Sequence, residues 1–495
     1  MADEHRNFID GEWVEPESGE YVENRNPARP TELIGRFPIS TEDEVDRAVA
    51  SARRGFETWR DVPAPERGLV MQRAGDLLTE HKDELAREQT REMGKVLEET
   101  RGDVQEAIDT AYYAASEGRR LFGKTVPSEL PDKWAMSHRR PIGVFGVITP
   151  FNFPTAIPSW KIFPALVCGN SVVFKPAEDV PNSARLFVEL LLEAGVPPEA
   201  VQLVHGDGDT GRAVVEHPDV DGISFTGSTE TGSRIAETCG RQHKRVSLEM
   251  GGKNAQVVMP DADMELALDG VLWGAFGTTG QRCTATSRLL LHREIHDEFV
   301  EELLAEVDDL VLGDGLEPEV DVGPLIHEAA LDKVERYVEI GREEGCRVAC
   351  GGRRPGGEGL EEGWFYEPTI LLDVEPGMRV EQEEIFGPVL SVVPFDDFDE
   401  AVEINNGTRY GLSSAVYTRD VNLAFRAIRR MDNGITYINA PTIGAEAHLP
   451  FGGVKGTGNG HREGGWEVYE FYTETKVSYL DYSGQLQRAQ IDVDW

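Results

Sequence analysis

The 495-residue sequence has no long apolar runs and little cysteine. No stretch of 18 or more apolar residues occurs, so no segment is expected to span a membrane. The acidic first residues lack the apolar segment of a secretory signal, which favours a cytoplasmic protein. The five cysteines are odd in number and scattered, as is typical of free thiols in a reducing compartment. Cys346 and Cys350 have no second pair or histidine beside them, so the sequence predicts no metal site.

Positive charge is also scarce. Lys and Arg total 49 against 89 Asp and Glu, for a net charge of −40, and only 11 residues are lysine. Such a surface repels phosphate backbones, which argues against general nucleic-acid binding. Self-repulsion of this size destabilises a compact chain at low salt, but at molar salt the Debye length shrinks to about 3 Å. The charge therefore predicts a protein from a high-salt cytoplasm, the alternative being an ordinary acidic surface.

Internal repeats and long Pro/Ser linkers are absent, and helical and strand patterns alternate along the chain, which predicts an α/β fold. Thr41 and Glu44 form the pattern of a capping box at the start of a helix. Short apolar runs separated by helical patterns indicate buried parallel strands of a doubly wound sheet, whose ligand binds at the carboxyl ends of the strands. These runs cover 143–148, 171–174, 201–204 and 222–225.

Two glycine loops are candidates for binding phosphate. Residues 206–211 match the pattern G-x-G-x-x-G after a strand, but Asp207 and Asp209 would lie beside a pyrophosphate, so we interpret them as a tight acidic turn. The segment from Gly227 to Gly232 directly follows a predicted strand, and Ser228 or Thr229 can cap the next helix, whose free N–H groups would bind an anion. On this motif alone, a plain helix cap is the simpler interpretation.

Seven motifs in a fixed order make the chain resemble the aldehyde dehydrogenase superfamily nearly from end to end. The motifs are Pro150-Phe-Asn-Phe-Pro154, Lys175-Pro-Ala-Glu178, Phe225-Thr-Gly-Ser228, Leu248-Glu-Met-Gly-Gly-Lys253, Gly280-Gln-Arg-Cys283, Glu384-Ile-Phe-Gly-Pro388 and Pro450-Phe-Gly-Gly-Val-Lys455. Each is weak alone, but seven in the family's order are very specific. The resemblance implies NAD(P)-dependent oxidation of a small aldehyde to its acid.

The chemistry of this reaction suits three residues. A thiol such as Cys283 attacks the aldehyde and, after hydride leaves, holds a hydrolysable thioester. By resemblance, the Asn152 side chain and the Cys283 amide bind the oxyanion. Glu249 lies in an apolar run, where a raised pKa would suit the general base that activates water. Because coenzyme-A-acylating relatives usually lack this Glu, its presence favours hydrolysis.

The resemblance also implies the coenzyme site. Lys175 and Glu178 would bind the adenosine ribose, where a carboxylate disfavours a 2′-phosphate, so NAD is expected and NADP is possible. Ser228 would bind the pyrophosphate, Glu384 the nicotinamide ribose, and Phe386 would pack against that end. The remaining expected coenzyme contacts are Thr149, Pro150, Gly227 and Gly251.

Substrate identity rests on finer resemblances. Arg282 and the segments 103–106 and 439–446 are similar to aminoadipate semialdehyde dehydrogenases of the antiquitin type. There the residues matching Glu106 and Arg282 hold the amino and carboxylate groups, aided by the backbone of Gly444 and Ala445, with Phe153 in the same site. The segments 458–465 and 479–492 instead resemble archaeal and bacterial dehydrogenases of 2-oxoglutarate semialdehyde or of unassigned aldehydes. Trp160 occupies the position at which some succinate semialdehyde dehydrogenases have Arg, which argues against succinate semialdehyde as the substrate. An aldehyde with a distal carboxylate is expected.

The resemblance implies a three-part architecture: a Rossmann-like coenzyme domain (1–122 and 142–251), an α/β catalytic domain (252–457), and a small β oligomerisation element with the tail (123–141 and 458–495). Because the terminal strand near 476–480 would otherwise expose an edge, we expect it to pair across a subunit interface in a homodimer or homotetramer. The rival hypotheses are a coenzyme-A-acylating dehydrogenase and a non-catalytic nucleotide-binding relative.

Overall fold

The fold was analysed in a computed structural model, which describes residues 3–357 and 359–492. The described residues form nineteen strands and fifteen α-helices. The strands are β1 (Asn7–Ile9), β2 (Glu12–Val14), β3 (Tyr21–Arg25), β4 (Leu33–Pro38), β5 (Thr125–Pro127), β6 (Lys133–Pro141), β7 (Val144–Ile148), β8 (Ser171–Lys175), β9 (Val201–Leu203), β10 (Gly222–Thr226), β11 (Arg245–Glu249), β12 (Asn254–Val258), β13 (Thr286–His292), β14 (Arg347–Cys350), β15 (Thr369–Leu372), β16 (Val389–Phe395), β17 (Ser413–Tyr417), β18 (Ile435–Ile438) and β19 (Thr473–Asp481).

The α-helices alternate with these strands, as the sequence predicts. They are α1 (Glu42–Trp59), α2 (Ala64–Glu80), α3 (Lys82–Met93), α4 (Leu97–Glu117), α5 (Ala156–Cys168), α6 (Pro181–Glu193), α7 (Gly208–Glu216), α8 (Thr229–Gln242), α9 (Met264–Phe276), α10 (His296–Asp308), α11 (Glu328–Glu343), α12 (Arg379–Gln382), α13 (Phe398–Asn406), α14 (Val421–Arg430) and α15 (Val468–Phe471). The capping box of α1 is present: Thr41 accepts from the Glu44 amide, and the Glu44 side chain accepts from the Thr41 amide.

The first sheet has the order β11-β10-β7-β8-β9-β1-β2, and its strands from β11 to β9 are parallel. Each of the four predicted apolar runs is one of these strands, and their residues are buried. The chain runs from β7 outward to β9, then returns to add β10 on the other side of β7. The strand order therefore reverses between β7 and β10, which is where a doubly wound sheet opens a crevice for a ligand.

A second sheet has the order β14-β15-β16-β13-β12-β17-β18 and is parallel except for the pairing of β14 with β15. A third sheet has the order β19-β6-β5, with β19 antiparallel to β6 along its whole length, from Thr473 opposite Pro141 to Asp481 opposite Lys133. The terminal strand thus pairs first within its own chain. Its other edge has no strand partner among the described residues.

Apolar side chains form separate cores around the two large sheets. Because the strands of both sheets are covered by helices, they are buried on both faces, which explains their continuous apolar sequences. None of the helices in the described ranges combines the length and apolar character that crossing a membrane requires.

Candidate active site

The predicted coenzyme residues gather at the carboxyl edge of the first sheet. Thr149 and Pro150 follow β7, and Lys175 ends β8. Gly227 and Ser228 follow β10, where Ser228 caps α8 by accepting from the Thr231 amide at 3.2 Å. The carboxyl ends of neighbouring parallel strands meet at one edge, so residues far apart in the sequence converge at the reversal point between β7 and β10.

A cavity of about 700 Å³ lies along this edge between α7 and α8. Lys175 is buried on its wall, and the Lys175 ammonium is 3.2 Å from the half-exposed Glu178 carboxylate. The cavity is large enough for the adenosine part of a dinucleotide, since ligand pockets typically measure about 300–1,000 Å³. A paired Lys and Glu suit ribose hydroxyls, because the ammonium donates and the carboxylate accepts hydrogen bonds.

The glycine loop at 206–211 both caps a helix and lines this cavity. As predicted, residues 206–211 form an acidic turn, because the Asp207 side chain caps α7 by accepting from the Asp209 and Thr210 amides. However, Gly208, Asp209 and Gly211 also line the cavity beside Lys175. The sequence interpretation excluded this loop from the coenzyme site, but the structure brings it to the cavity wall.

Glu384 lies at the junction of the two large sheets. Its carboxylate accepts a hydrogen bond from the Gly252 amide at 2.9 Å, and burial raises its pKa. A side chain at Gly251 would put its Cβ only 2.3 Å from a Glu384 carboxylate oxygen, so this contact requires glycine. Phe386 has a φ of 61° and its ring contacts Phe151 edge to face at 5.8 Å.

A second, smaller cavity of about 90 Å³ contains the predicted catalytic pair. Cys283 and Glu249 both line it, although 33 residues lie between them in the sequence. The rest of the wall is largely apolar and aromatic, which restricts water around the two reactive groups. Its other lining residues are Glu106, Phe153, Ile157, Trp160, Thr226, Met250, Arg282, Thr284, Leu412, Gly444, Ala445, Phe451 and Glu463.

The turn before Cys283 has unusual backbone geometry. Thr278 and Thr279 have φ values of 53° and 57°, a left-handed conformation that is costly for β-branched residues. The Glu99 carboxylate holds the turn by accepting from the Thr278 amide at 2.8 Å, and the Thr279 hydroxyl donates to the Gly323 carbonyl at 2.9 Å. Contacts from other elements therefore fix the path of the chain into Cys283.

Cys283 is partly buried, and its thiol lies near acidic groups. Burial, together with Glu384 and Glu249, raises the pKa of the thiol above its usual value. The resting group is therefore a thiol rather than a thiolate, and attack on a carbonyl requires removal of its proton. A side chain at Gly252 would put its Cβ 2.3 Å from the Cys283 carbonyl oxygen, so glycine is needed for this close approach.

Asn152 lies in the turn after β7, and both its side chain and its backbone carbonyl are hydrogen-bonded. Its side-chain amide donates to the Gln281 carbonyl, two residues before Cys283, at 2.9 Å. Its backbone carbonyl accepts from the buried Lys95 ammonium at 2.9 Å, and Lys95 forms an ion pair with buried Asp103 at 2.8 Å. Among the hydrogen bonds of the described residues, the Asn152 side-chain amide donates only to the Gln281 carbonyl, so its second N–H can donate to another group.

Glu249 ends β11, as the apolar run predicts, and its side chain is buried. Burial raises the pKa of its carboxyl well above the usual value, and the nearby Glu463 carboxylate raises it further. The Gly453 amide donates weakly to one carboxylate oxygen at 3.4 Å, and the other oxygen has no partner in the described part of the chain. A carboxylate with this raised proton affinity can accept a proton from water.

Sequence reasoning missed a buried polar cluster next to Glu249. Lys161 on α5 forms a hydrogen-bonded ion pair with Glu463, and its ammonium also donates to the Ser224 hydroxyl at 3.1 Å. The Thr226 hydroxyl donates to the same Glu463 carboxylate at 3.2 Å. A signal was available in the sequence. Lys161, one of only 11 lysines in the chain, lies within the apolar segment 156–168, where a charge needs a buried partner.

The predicted substrate residues meet at the same cavity, but Arg282 is already engaged. Its guanidinium donates to Glu99 at 2.9 Å and to the Thr278 hydroxyl at 2.8 Å, and it packs over the rings of Phe153 and Trp273. The sequence predicted only a contact between Arg282 and the substrate. In the structure Arg282 also stabilises the turn that carries Cys283, through its hydrogen bonds to Glu99 and Thr278.

Glu106 is half-buried on α4 and lines the same cavity as Arg282. One carboxylate oxygen has no partner in the ranges that the structure describes. Burial, reinforced by Asp103, raises its pKa to about 8, so the group is mostly a neutral acid at pH 7. Gly444 and Ala445 complete the wall, and the Tyr437 hydroxyl donates to the Gly444 carbonyl.

The other cysteines lie outside this cavity. Cys168 is buried in the first apolar core, as predicted, and Cys239 is buried within α8. Burial raises the pKa of Cys350 to about 11, at the end of β14. In residues 3–357 and 359–492, no group of three or more His, Cys, Asp or Glu side chains is arranged to hold a metal ion.

Comparisons with known proteins identify the family of this chain. A family profile described as "Aldehyde dehydrogenase family" matches residues 13–478. The alpha-ketoglutarate semialdehyde dehydrogenase of Haloferax volcanii is 40% identical over 97% of this chain and 100% of that protein. The succinate-semialdehyde dehydrogenase [NADP(+)] of Escherichia coli is 39% identical over 95% of this chain and 96% of that protein.

A solved structure gives the same result for the fold. Staphylococcus aureus betaine aldehyde dehydrogenase, determined in complex with NAD⁺, superposes with a TM-score of 0.95 at 36% identity, covering 97% of this chain and 95% of that one. The chain therefore belongs to the aldehyde dehydrogenase family.

Proposed function

We propose that this NAD(P)-dependent aldehyde dehydrogenase oxidises a semialdehyde with a distal carboxylate, with Cys283 as nucleophile, Asn152 as oxyanion donor and Glu249 as base. The observation that carries the proposal is the small cavity in which Cys283 and Glu249 share one wall with Arg282 and Glu106. An aldehyde in this cavity contacts a nucleophile, a base and a cation together.

In the first step the thiol proton passes to solvent and the Cys283 sulfur bonds to the aldehyde carbon, while the π electron pair of the carbonyl moves to its oxygen. The second N–H of Asn152 and the Cys283 amide donate to the oxygen that gains negative charge, at a typical gain of about 3–4 kcal/mol per donor. Bound NAD(P)⁺ supplies the acceptor for the hydride. Glu249 then takes a proton from water, and the resulting hydroxide attacks the thioester carbonyl to release the acid and the free thiol.

The position of Glu249 favours hydrolysis over transfer to coenzyme A. A hydrolytic enzyme needs a base beside the thioester, and Glu249 lines the same cavity as Cys283. A non-catalytic nucleotide-binding protein would not need a strained turn at Thr278 and Thr279 or a buried base. These features favour the hydrolytic enzyme over both rivals.

The cavity supports 2-oxoglutarate semialdehyde over aminoadipate semialdehyde. Arg282 provides a guanidinium for a carboxylate. Because Glu106 has a pKa of about 8, its neutral carboxyl can donate a hydrogen bond to an oxo group. An ammonium group would instead require the charged form of Glu106, which burial disfavours. The Haloferax relative named for alpha-ketoglutarate semialdehyde supports the same choice.

Replacing Arg282 by Ala should change substrate preference. We expect kcat/KM for 2-oxoglutarate semialdehyde to fall by about 10–100-fold, since a charge-assisted hydrogen bond is worth about 1.5–3 kcal/mol. For a neutral aliphatic aldehyde of similar length, the change should be less than about threefold. Steady-state kinetics with both aldehydes measure this difference.

Two further variants distinguish substrate binding by Arg282 from its support of the turn that carries Cys283. Arg282→Lys keeps a charge but loses the planar fork to Glu99, and it should recover part of the carboxylate preference. Arg293→Ala removes an exposed arginine paired with Asp396 and should leave both substrates unchanged. Equal losses on the charged and neutral aldehydes in Arg282→Ala would mean that Arg282 only supports the Cys283 turn.

The three-part architecture stays a proposal, which the sheets support. The strands of the first sheet fall within 1–122 and 142–251, those of the second within 252–457, and the third sheet joins 123–141 to the tail.

One edge of β19 has no strand partner in residues 3–357 and 359–492, and this strand exposes Val477, Tyr479 and Leu480. We propose that a second copy covers this edge, and sedimentation at molar KCl should give a dimer or tetramer. A monomer would contradict this proposal.

The net charge of −40 supports a high-salt environment. We expect the thermal unfolding midpoint to rise by several degrees between about 0.1 M and about 2 M KCl, because screening removes repulsion between the acidic side chains. Sorbitol at equal osmolality provides a control that does not screen charge. A midpoint that is unchanged by KCl, or that rises equally in sorbitol, would show that the acidity has no such role.

A further inference from the structure

Lys95 is a buried lysine that does not line the cavity around Cys283 but contacts the proposed oxyanion donor. It lies in the short connection between α3 and α4. Its ammonium donates to the Asn152 backbone carbonyl at 2.9 Å and to the Asp103 carboxylate at 2.8 Å. The side chains of Lys95 and Asp103 are both 0% exposed. Because charges removed from water in this way are costly unless they are well paired, the contact with Asn152 is built into the core of the protein.

The two members of this ion pair hold the two ends of the turn that carries Asn152. Lys95 binds the carbonyl of Asn152, at the beginning of this turn. The other carboxylate oxygen of Asp103 accepts from the Thr155 and Ala156 amides, at 3.3 and 2.7 Å, where the turn leads into α5. A buried network whose members all have partners restricts the backbone that it joins. The position of the Asn152 side chain therefore depends on this pair.

The connection that carries Lys95 also packs against the loop between α10 and α11. A side chain at Gly315 would put its Cβ 2.6 Å from the Lys95 carbonyl oxygen, so the two backbones are in close contact. Further along this loop, the Gly323 carbonyl accepts at 2.9 Å from the Thr279 hydroxyl, in the turn before Cys283. Lys95 is thus located between the segment of the oxyanion donor and a loop that supports the segment of the nucleophile.

We propose that Lys95 is a positioning residue for the oxyanion donor: its hydrogen bond to the Asn152 carbonyl keeps the Asn152 side chain aligned with Cys283. The inference rests on the proposed function, in which Asn152 donates to the oxyanion. Such a donor is effective only when it is held in place before the reaction, and a displacement of about 1 Å can lower the rate about 10²-fold. Lys95 acts through Asn152 and contacts neither the aldehyde nor the coenzyme.

The test compares kcat/KM for 2-oxoglutarate semialdehyde in Lys95→Met, Asn152→Ala and the double variant. Asn152→Ala should lower kcat/KM by about 10²–10³-fold, because it removes one oxyanion donor. Lys95→Met should lower it by about tenfold or more in the otherwise unaltered chain, but by less than about twofold in the Asn152→Ala background. Equal losses in both backgrounds would overturn the proposal, since Lys95 would then act independently of Asn152.

A combined variant controls for loss of the fold. Lys95→Met alone leaves the buried Asp103 carboxylate without its cation, so it is also joined to Asp103→Asn, which removes that charge and keeps an acceptor oxygen for the amides at the start of α5. The thermal unfolding midpoint should then stay close to that of the unaltered chain, while kcat/KM stays low. Lys95→Arg should recover part of the rate, because it keeps a charged donor. Full turnover in the folded combined variant would contradict the proposal.

Alkylation of Cys283 distinguishes a displaced donor from a damaged nucleophile. Iodoacetamide bonds to the thiol sulfur with loss of iodide and a proton, and no oxyanion forms in this reaction. In Lys95→Met, the alkylation rate of Cys283, followed by peptide mass spectrometry, should therefore change less than about twofold. A decrease that matches the loss of turnover would overturn the proposal, because Lys95 would then support the Cys283 turn.

Lys82→Met is the matched control. Lys82 also hydrogen-bonds to α4, through Gln105 at 2.8 Å, but has no contact with the Asn152 turn, and its replacement should leave turnover unchanged. The Asn152→Ala result separates the two proposals. If Asn152→Ala leaves turnover unchanged, the oxyanion donor of the proposed function is wrong, and this inference fails with it. If Asn152→Ala slows turnover and Lys95→Met does not, only this inference fails.

Discussion

Replacing Cys283 by Ala is expected to abolish aldehyde-dependent NADH formation, by about 10⁴-fold or more. The thiol is the only nucleophile proposed for the covalent step, and without it the carbonyl carbon does not become tetrahedral before hydride leaves. Initial rates of NADH formation measure the loss. Binding of 5′-AMP, followed by calorimetry, should remain, because the cavity of about 700 Å³ beside Lys175 is separate from the cavity of about 90 Å³ that contains Cys283.

Cys350→Ala is the matched control. Cys350 is a free, partly buried cysteine at the end of β14, on the edge of the second sheet, and it does not line the catalytic cavity. Its replacement should leave turnover unchanged. Full activity in Cys283→Ala, or its loss in Cys350→Ala, would show that the nucleophile is misplaced.

Replacing Glu249 by Gln should separate the two halves of the reaction. Attack and hydride transfer still form a thioester, but water lacks its base, so we expect a burst of about one NADH per active site followed by turnover slowed about 10²–10⁴-fold. Rapid-mixing absorbance records the burst, and intact-mass spectrometry should detect the acylated chain. Adding a thiol such as coenzyme A tests the acylating alternative, because acceleration by it would favour thiol transfer over hydrolysis.

The pH dependence of the unaltered enzyme provides a second readout. Burial raises the pKa of Glu249 above the usual 4.5, and only its deprotonated form accepts a proton from water. Hydrolysis should therefore weaken as the pH falls through this raised pKa and increase as the pH rises through it. In Glu249→Gln, this limb of the pH profile should disappear. A limb that persists in the variant would assign the titration to another group.

Local patterns in the sequence predicted much of the fold because short-range physics decides them. The capping box at Thr41, the buried strands β7 to β10 and the cap at Ser228 all depend on neighbouring residues, and all are present. The prediction made from the sequence for the loop 206–211 was only partly correct. Its acidic residues correctly indicated a capped turn, but whether that turn borders a cavity depends on how α7 packs against Lys175.

The catalytic residues could be identified only with help from the family resemblance. Asn152, Glu249 and Cys283 each have an ordinary structural explanation when considered alone. The Lys161–Glu463 pair was missed because its members are 302 residues apart, and nothing near either one indicates the other.

The sequence by itself determined the alternation of helices and strands around the first sheet, the excess of acidic charge and the family resemblance, since these follow from residue types and their spacing. The tertiary structure alone decided which distant groups meet: that Arg282 supports the Cys283 turn through Glu99, that Glu106 lies on the same cavity as Cys283, and that the loop 206–211 lines the cavity beside Lys175. The reason is physical. Proton affinity and ion pairing depend on burial and on atoms a few ångströms away, and most of those atoms belong to remote parts of the chain.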